Sequence, residues 1–291
     1  MRSQHRPSRE DRDLQIERAA RKIAAADHLL ITAGAGMGVD SGLPDYRGAE
    51  GFWNAHPPLR HRRLRWIDLA NPEAFRTMPE LAWGFYGSRL DLYRRTQPHE
   101  GFRILRRWAA DMQSYFVYTS NVDGQFQRAG FPPERILEIH GSLQHTQCVT
   151  PCHPEVHDAS GLEISVDPET LQAASSLPRC PRCGGMARPN VLLFGDDAFV
   201  RTRRNEQRHS FLHWLAGTQG GRLSIVELGA GPDIPTVRQK GEQLVRCGNV
   251  RLVRINLRDP EGPEGIISIA GRALDIVLAI ESEWSSNLVH C

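Results

Sequence analysis

The stretch HLLITAGAGMGVDSGLPDYRG, His28–Gly48, decides the fold. It opens on Leu29, Leu30 and Ile31, a short apolar run behind a helical pattern, which is how a buried parallel strand reads. The run passes directly into Gly34-Ala35-Gly36. Small residues at the end of a strand let backbone N–H groups approach a phosphate at the start of a following helix. Spacing alone leaves this stretch as either a nucleotide-binding turn or an ordinary strand-turn-helix. Val39 stands where a dinucleotide fingerprint carries its third glycine.

Upstream, Leu14, Ile16, Ala19, Ala20, Ile23 and Ala24 recur at a helical period, and the polar segment Met1–Arg12 reads as a disordered tail. Downstream, helices are expected over Pro79–Tyr93 and Glu100–Asp111, and Tyr115–Thr119 reads as a second buried strand. That strand ends in Ser120-Asn121-Val122-Asp123-Gly124, polar groups placed where a parallel α/β sheet opens its site. Ile136–Ile139 leads into His140-Gly141-Ser142. A histidine titrating near pH 6.5 suits a general base, although a histidine after an apolar strand is also a common structural residue. The last third reads strand, helix, strand over Leu223–Leu228, Thr236–Val245 and Val250–Ile255, with Gly271–Ile280 as a closing helix. Gly229-Ala230-Gly231 follows the first of these strands and Asn256 the second.

A chain of 291 residues can bury a sizeable core, and a formal net charge of +2 sets up no whole-chain field for nucleic acid or an anionic membrane. No apolar run approaches the roughly 20 residues of a membrane span, and the first residues carry no apolar signal segment, so a cytoplasmic protein with no membrane partner is expected. Four of the six cysteines fall in two close pairs, Cys148/Cys152 and Cys180/Cys183, the second within CPRCGG. Four thiolates satisfy tetrahedral zinc and leave no open position, so the metal reads as a structural staple. His145, His153 and His157 are substitute ligands, and Cys247 and Cys291 are left over. The basic runs Arg60–Arg65 and Arg201–Arg208 read as solvated faces. They also permit a different class of protein, a non-catalytic zinc module binding nucleic acid, although only Trp66 supplies an interleaved aromatic.

Gly34-Ala35-Gly36 followed by Ser41-Gly42-Leu43-Pro44-Asp45-Tyr46-Arg47 resembles the opening motif of the sirtuins, NAD-dependent protein deacylases, whose usual form is GAGxSxxSGIPDFR. Gly38, Leu43 and Tyr46 depart from that form. The resemblance continues in family order to about residue 280. Asn121 and Asp123 match the QNID motif, with Ser120 in place of Gln and Val122 in place of Ile, and His140-Gly141 matches the HG motif. The cysteine pairs follow, with three residues inside the first pair where two are commoner. Pro189-Asn190-Val191-Leu192-Leu193-Phe194-Gly195-Asp196 resembles PNVVxFGE, which pairs by backbone with the substrate peptide. Gly229-Ala230-Gly231 stands where GTS is usual, and Asn256 where an IN pair contacts adenosine.

The resemblance implies a Rossmann-like parallel sheet with helices on both faces, over residues 13–49, 94–142 and 189–281. A smaller helical and zinc-binding domain would come from residues 50–93 and 143–188, with NAD in the cleft between them. It implies removal of acyl groups from protein or peptide lysine, giving nicotinamide, O-acyl-ADP-ribose and free lysine. His140 would be the base, Asn121 would orient ribose or water, and Asp123 would hold the carboxamide. Ala33, Gly34, Ala35 and Gly36 would receive the pyrophosphate. Asp45, Tyr46 and Arg47 would line the nicotinamide pocket, and Ser120, Gly229, Ala230 and Asn256 would complete the cofactor site. Val191, Phe194 and Gly195 would meet the substrate, and zinc would sit on Cys148, Cys152, Cys180 and Cys183. Phe85-Tyr86-Gly87-Ser88-Arg89 looks like the FYxxR pattern of sirtuins that take malonyl, succinyl or glutaryl lysine. Tyr86 and Arg89, three residues apart on a helix, share a face. The competing reading within this frame is NAD glycohydrolase or ADP-ribosyl transfer.

Overall fold

The computed structural model describes residues 9–44, 56–246 and 248–288. Asp45, Tyr46, Arg47, Cys247 and Cys291 lie outside the described residues.

Nine strands are present among the described residues: β1 His28–Ala33, β2 Ser114–Thr119, β3 Ile136–Glu138, β4 Gly141–Cys148, β5 His157–Asp158, β6 Ala187–Val191, β7 Leu223–Leu228, β8 Val250–Asn256 and β9 Ile267–Ala270. The longer helices are α1 Arg9–Ala24, α2 Pro79–Arg95, α3 Glu100–Asp111, α4 Thr202–Gly217, α5 Thr236–Val245 and α6 Ala273–Leu288. No helix among the described residues is long and apolar enough to cross a membrane.

Six strands form one parallel sheet in the order β3-β2-β1-β7-β8-β9. Successive side chains of β1 point to opposite faces. Leu29, Ile31 and Ala33 pack with α1, α3 and α6 through Ile16, Trp108 and Ile276, whereas Leu30 packs with Phe211 and Trp214 of α4 and Val237 of α5. Every residue of β1 is buried, which explains why its sequence shows an apolar run and no alternation. A second, antiparallel sheet has the order β5-β4-β6. It shares a hydrophobic cluster with α2 through Leu143, Val149, Val191, Trp83 and Tyr86, and the Trp83 indole donates to the Ala187 carbonyl at 2.9 Å.

The chain turns back at β1. It runs outward through β2 and β3 and returns to add β7, β8 and β9 on the other side. Ligands in open α/β sheets bind where the strand order reverses, here at the carboxyl ends of β1 and β7. The two glycine turns meet at that point. Gly34 donates to the Leu228 carbonyl and Gly36 to the Gly229 carbonyl, both at 3.0 Å. A Cβ on Gly34 would lie 2.7 Å from the Ala230 Cα, and one on Gly229 would lie 2.4 Å from the Gly36 carbonyl carbon.

The structure departs from the sequence reading in several places. The turn after β1 is followed by two 3₁₀ turns, Ala35–Met37 and Val39–Ser41, and not by a regular helix. Gly42, at φ +87°, ends the second turn, and Asp40 is drawn away to accept from the Leu274 amide and Arg272. Helix α1 starts at Arg9, inside the segment read as tail, and α6 runs to Leu288, past the expected end. Strand β9, Ile267–Ala270, carries too short an apolar signal to be read. Arg203 of the basic run reaches in to pair with Glu138, whose side chain is 1% exposed.

Gly229→Ala is expected to destabilise the fold by at least about 2–3 kcal/mol, because φ is +61° and the added methyl meets backbone that cannot rotate away. Urea denaturation would measure it, and Gly265→Ala, at φ +88° with nothing within 4 Å, isolates the backbone strain.

Candidate active site

A cavity of about 660 Å³ opens at the carboxyl ends of β1 and β7. Among the residues singled out from sequence, it brings together Gly34, Ala35, Tyr86, Arg89, Ser120, Asn121, Asp123, His140, Val191, Phe194 and Ala230. Trp66, Ile67, Tyr93, Leu193, Asp233 and Ile234 also line it. Tyr93 had a readable signal, since it continues the stripe of Tyr86 and Arg89 one turn further along α2. Trp66 and Ile67 belong to the single-turn helix Trp66–Leu69, in a segment without periodicity, and gave none.

The sheet ends position the polar groups. Asn121 donates through Nδ2 to the Gly34 carbonyl at 3.0 Å, which ties the end of β2 to the first glycine turn. Ser120 is spent locally: its amide and hydroxyl donate to the Ala33 carbonyl at 3.1 and 3.4 Å. Asp123 accepts from the Gln125 amide at 2.9 Å, and burial pushes its carboxyl pKa up to about 6. Glu138 pushes the same way, while the Gln125 bond and the Arg89 charge oppose it. His140 sits between β3 and β4, and its carbonyl accepts from the Leu192 amide at 2.9 Å. Burial lowers its imidazole pKa, with the Ser120 backbone pulling the other way. Gly141, at φ +81°, is required here because a Cβ would lie 2.1 Å from the Asn190 carbonyl oxygen.

Several expected contacts are placed elsewhere. Ala33, Gly36, Gly195, Gly229 and Asn256 do not line the cavity. The amides of Gly34 and Gly36 are committed to the β7 turn, so this pair closes one turn on the other and offers no free N–H cradle. Asn256 is 3% exposed, donates to the Ala230 carbonyl, and accepts from the Arg258 and Asp259 amides, so it shapes the second turn from behind. Along the expected substrate segment, the Leu192, Leu193 and Phe194 amides already donate to the His140 carbonyl, the Asp196 carboxylate and the Ala70 carbonyl. The amides of these three residues are therefore spent within the protein. The segment is held by Arg188 and Asp196, both fully buried, joined at 2.8 Å to each carboxylate oxygen.

The four cysteines converge away from this cavity. Cys148 and Cys183 lie 3.7 Å apart, as do Cys152 and Cys180, and all four sulfurs fall within 4.8 Å of one another. Tetrahedral zinc with bonds of about 2.3 Å places its sulfurs about 3.8 Å apart, so the set fits zinc. Gly184, at φ +70°, turns the chain so that its amide reaches the Cys180 carbonyl. His153 lies 3.4 Å from the Cys180 sulfur, beside the set and not within it.

A family profile described as the Sir2 family matches residues 34–213. The chain belongs to the Sir2 family. It is 34% identical to an NAD-dependent protein deacylase of Aeropyrum pernix over 87% of this chain and 96% of that protein. It is also 35% identical to the mitochondrial NAD-dependent protein deacylase sirtuin-5 of Canis lupus familiaris, over 60% of this chain and 58% of that protein. A solved Sir2 homolog–NAD complex superposes with a TM-score of 0.66 at 24% identity, covering 93% of this chain and 94% of that one.

Asp123 titrates above its ordinary value in the folded protein, so its charge costs stability above pH 6 and the cost vanishes below about pH 4. Asp123→Asn is expected to raise unfolding free energy at pH 8 by about 2–3 kcal/mol, a gain that disappears toward pH 4. Chelating zinc, or Cys180→Ser, is expected to loosen β4–β6 while leaving the six-stranded sheet folded, as amide exchange would report.

Proposed function

We propose that this chain is an NAD-dependent protein-lysine deacylase that favours acidic acyl groups on lysine. The observation that carries the deacylase reading is the convergence of His140, Asn121 and Asp123 with the two glycine turns on one cavity, in a Sir2-family chain whose relatives are named deacylases. NAD, when bound, supplies the ADP-ribosyl group that takes up the acyl group as nicotinamide leaves. His140 serves as the base: burial keeps its imidazole neutral and able to accept a ribose hydroxyl proton at neutral pH. Asn121, anchored to the Gly34 carbonyl, orients the group that reacts. Asp123, held by the Gln125 amide, lines the cavity where it can receive a carboxamide. Ala35, the cavity-lining residue after Gly34, is where the phosphates would approach.

The acidic preference is supported by Arg89. Its side chain lines the same cavity, is 7% exposed, and lies over the rings of Phe85, Tyr86 and Tyr93 at 5.2–5.6 Å. A buried planar cation can take a terminal carboxylate bidentately, and Tyr86 lies beside it. One charge-assisted hydrogen bond contributes about 1.5–3 kcal/mol, which corresponds to roughly ten- to a hundredfold in preference. Two sirtuin-5 deacylases, 35% and 34% identical to this chain over 60% of its length, are among its relatives, which agrees with the reading.

Mass-spectrometric time courses on one lysine peptide, prepared in acetyl and succinyl forms, test both levels. Succinyl removal that requires NAD and runs well ahead of acetyl removal is expected, and Arg89→Met should cut the succinyl-to-acetyl ratio at least about tenfold. Acetyl removal alone would end the acidic reading, and NAD loss with neither peptide changed would end the deacylase reading. His140→Ala should lower kcat/KM by at least about a hundredfold, and the acidic limb of the wild-type pH profile should lie below pH 6.5.

A further inference from the structure

No motif singles out Tyr93, yet its hydroxyl lies within hydrogen-bond distance of two Arg89 nitrogens. Its hydroxyl accepts from Arg89 Nε at 3.1 Å and from Nη2 at 2.7 Å. These two N–H groups share one edge of the guanidinium plane, so a single oxygen on both fixes the plane's rotation. A carboxylate must then meet Arg89 through the part of the fork that bears Nη1. The hydroxyl is neutral, so it fills one edge without cancelling the charge.

Tyr93 is itself fixed. It is 5% exposed, and its carbonyl accepts from Gln125 Nε2 at 3.3 Å, while the Gln125 amide donates to Asp123. Gln125 Nε2 also reaches the Thr96 carbonyl at 3.2 Å, just past the end of α2. Hydrogen bonds through Tyr93 and Gln125 thus join the orientation of Arg89 to the cavity-lining carboxylate of Asp123.

We propose that Tyr93 is a positioning residue that sets which edge of Arg89 the acyl carboxylate meets, and thereby selects acyl-chain length. The proposal rests on the acidic-acyl reading above. With the side edge occupied, the carboxylate must arrive at one depth and angle, so malonyl, succinyl and glutaryl chains cannot all reach it equally well. Without the hydroxyl the plane can turn within its aromatic surround and accept carboxylates over a wider range.

The test compares wild-type protein, Tyr93→Phe, Arg89→Met and the double variant on one peptide carrying acetyl, malonyl, succinyl or glutaryl lysine. Tyr93→Phe keeps the buried ring and removes only the hydroxyl. It is expected to raise KM for the preferred acidic acyl group about five- to twentyfold more than KM for acetyl, to change kcat less than KM, and to narrow the differences among the three acidic chains. In the Arg89→Met background the same substitution should shift no ratio. A wild-type preference for acidic acyl groups that Tyr93→Phe leaves intact overturns this proposal alone. So does a Tyr93→Phe effect that persists without Arg89. A wild-type protein with no acidic preference overturns the acidic-acyl reading, and this proposal with it.

Discussion

The structure depends on one close approach, the contact between the glycine turns that end β1 and β7. With backbone against backbone at Gly34, Gly36, Gly229 and Ala230, no side chain larger than hydrogen fits at the glycines, and the first turn donates two amide bonds to carbonyls at the end of β7. The contact brings the carboxyl ends of two parallel strands together where the strand order reverses. The Asn121 bond to Gly34 and the Asn256 bond to Ala230 buttress it from either side.

Around this seam the protein gathers ionisable groups into low dielectric. Asp123, Arg89 and His140 line one cavity, and burial shifts Asp123 and His140 each toward its neutral form. Such an arrangement works against stability and favours chemistry, because groups held near neutrality exchange protons at low cost. The rigidity that holds them comes from buried pairs outside the cavity. Arg188 with Asp196 fixes the segment that lines the cavity at Val191–Phe194, and Arg254 with Glu227 and Glu242 ties β8 to β7 and α5.

Much of this was legible from residue order. The strands at Leu29, Tyr115 and Leu223 carry apolar or β-branched runs that only a sheet covered on both faces tolerates, and α3 and α5 have clear ends. The CPRCGG knuckle announces its metal because small residues beside two thiols have few other uses. Other features left no local mark. Strand β9 is too short to show a period, and the 3₁₀ turns after Gly34 arise because Asp40 and Ser41 serve distant partners, Leu274 and His99.

The sequence by itself determined the parallel sheet and the four-cysteine metal set through apolar runs and spacing, and the family and the candidates for base and acyl selector through the resemblance of short motifs to the sirtuins. Only tertiary structure decided how each residue is used. It turned the Gly34 and Gly36 amides inward to β7, drew Asn256 behind the cavity wall, spent the Leu192–Phe194 amides on the protein itself, and set Tyr93 on the edge of Arg89. The physical reason is that a hydrogen-bonding group has few partners to give. Which partners it takes is settled by segments far away in sequence that packing brings within 3 Å or so.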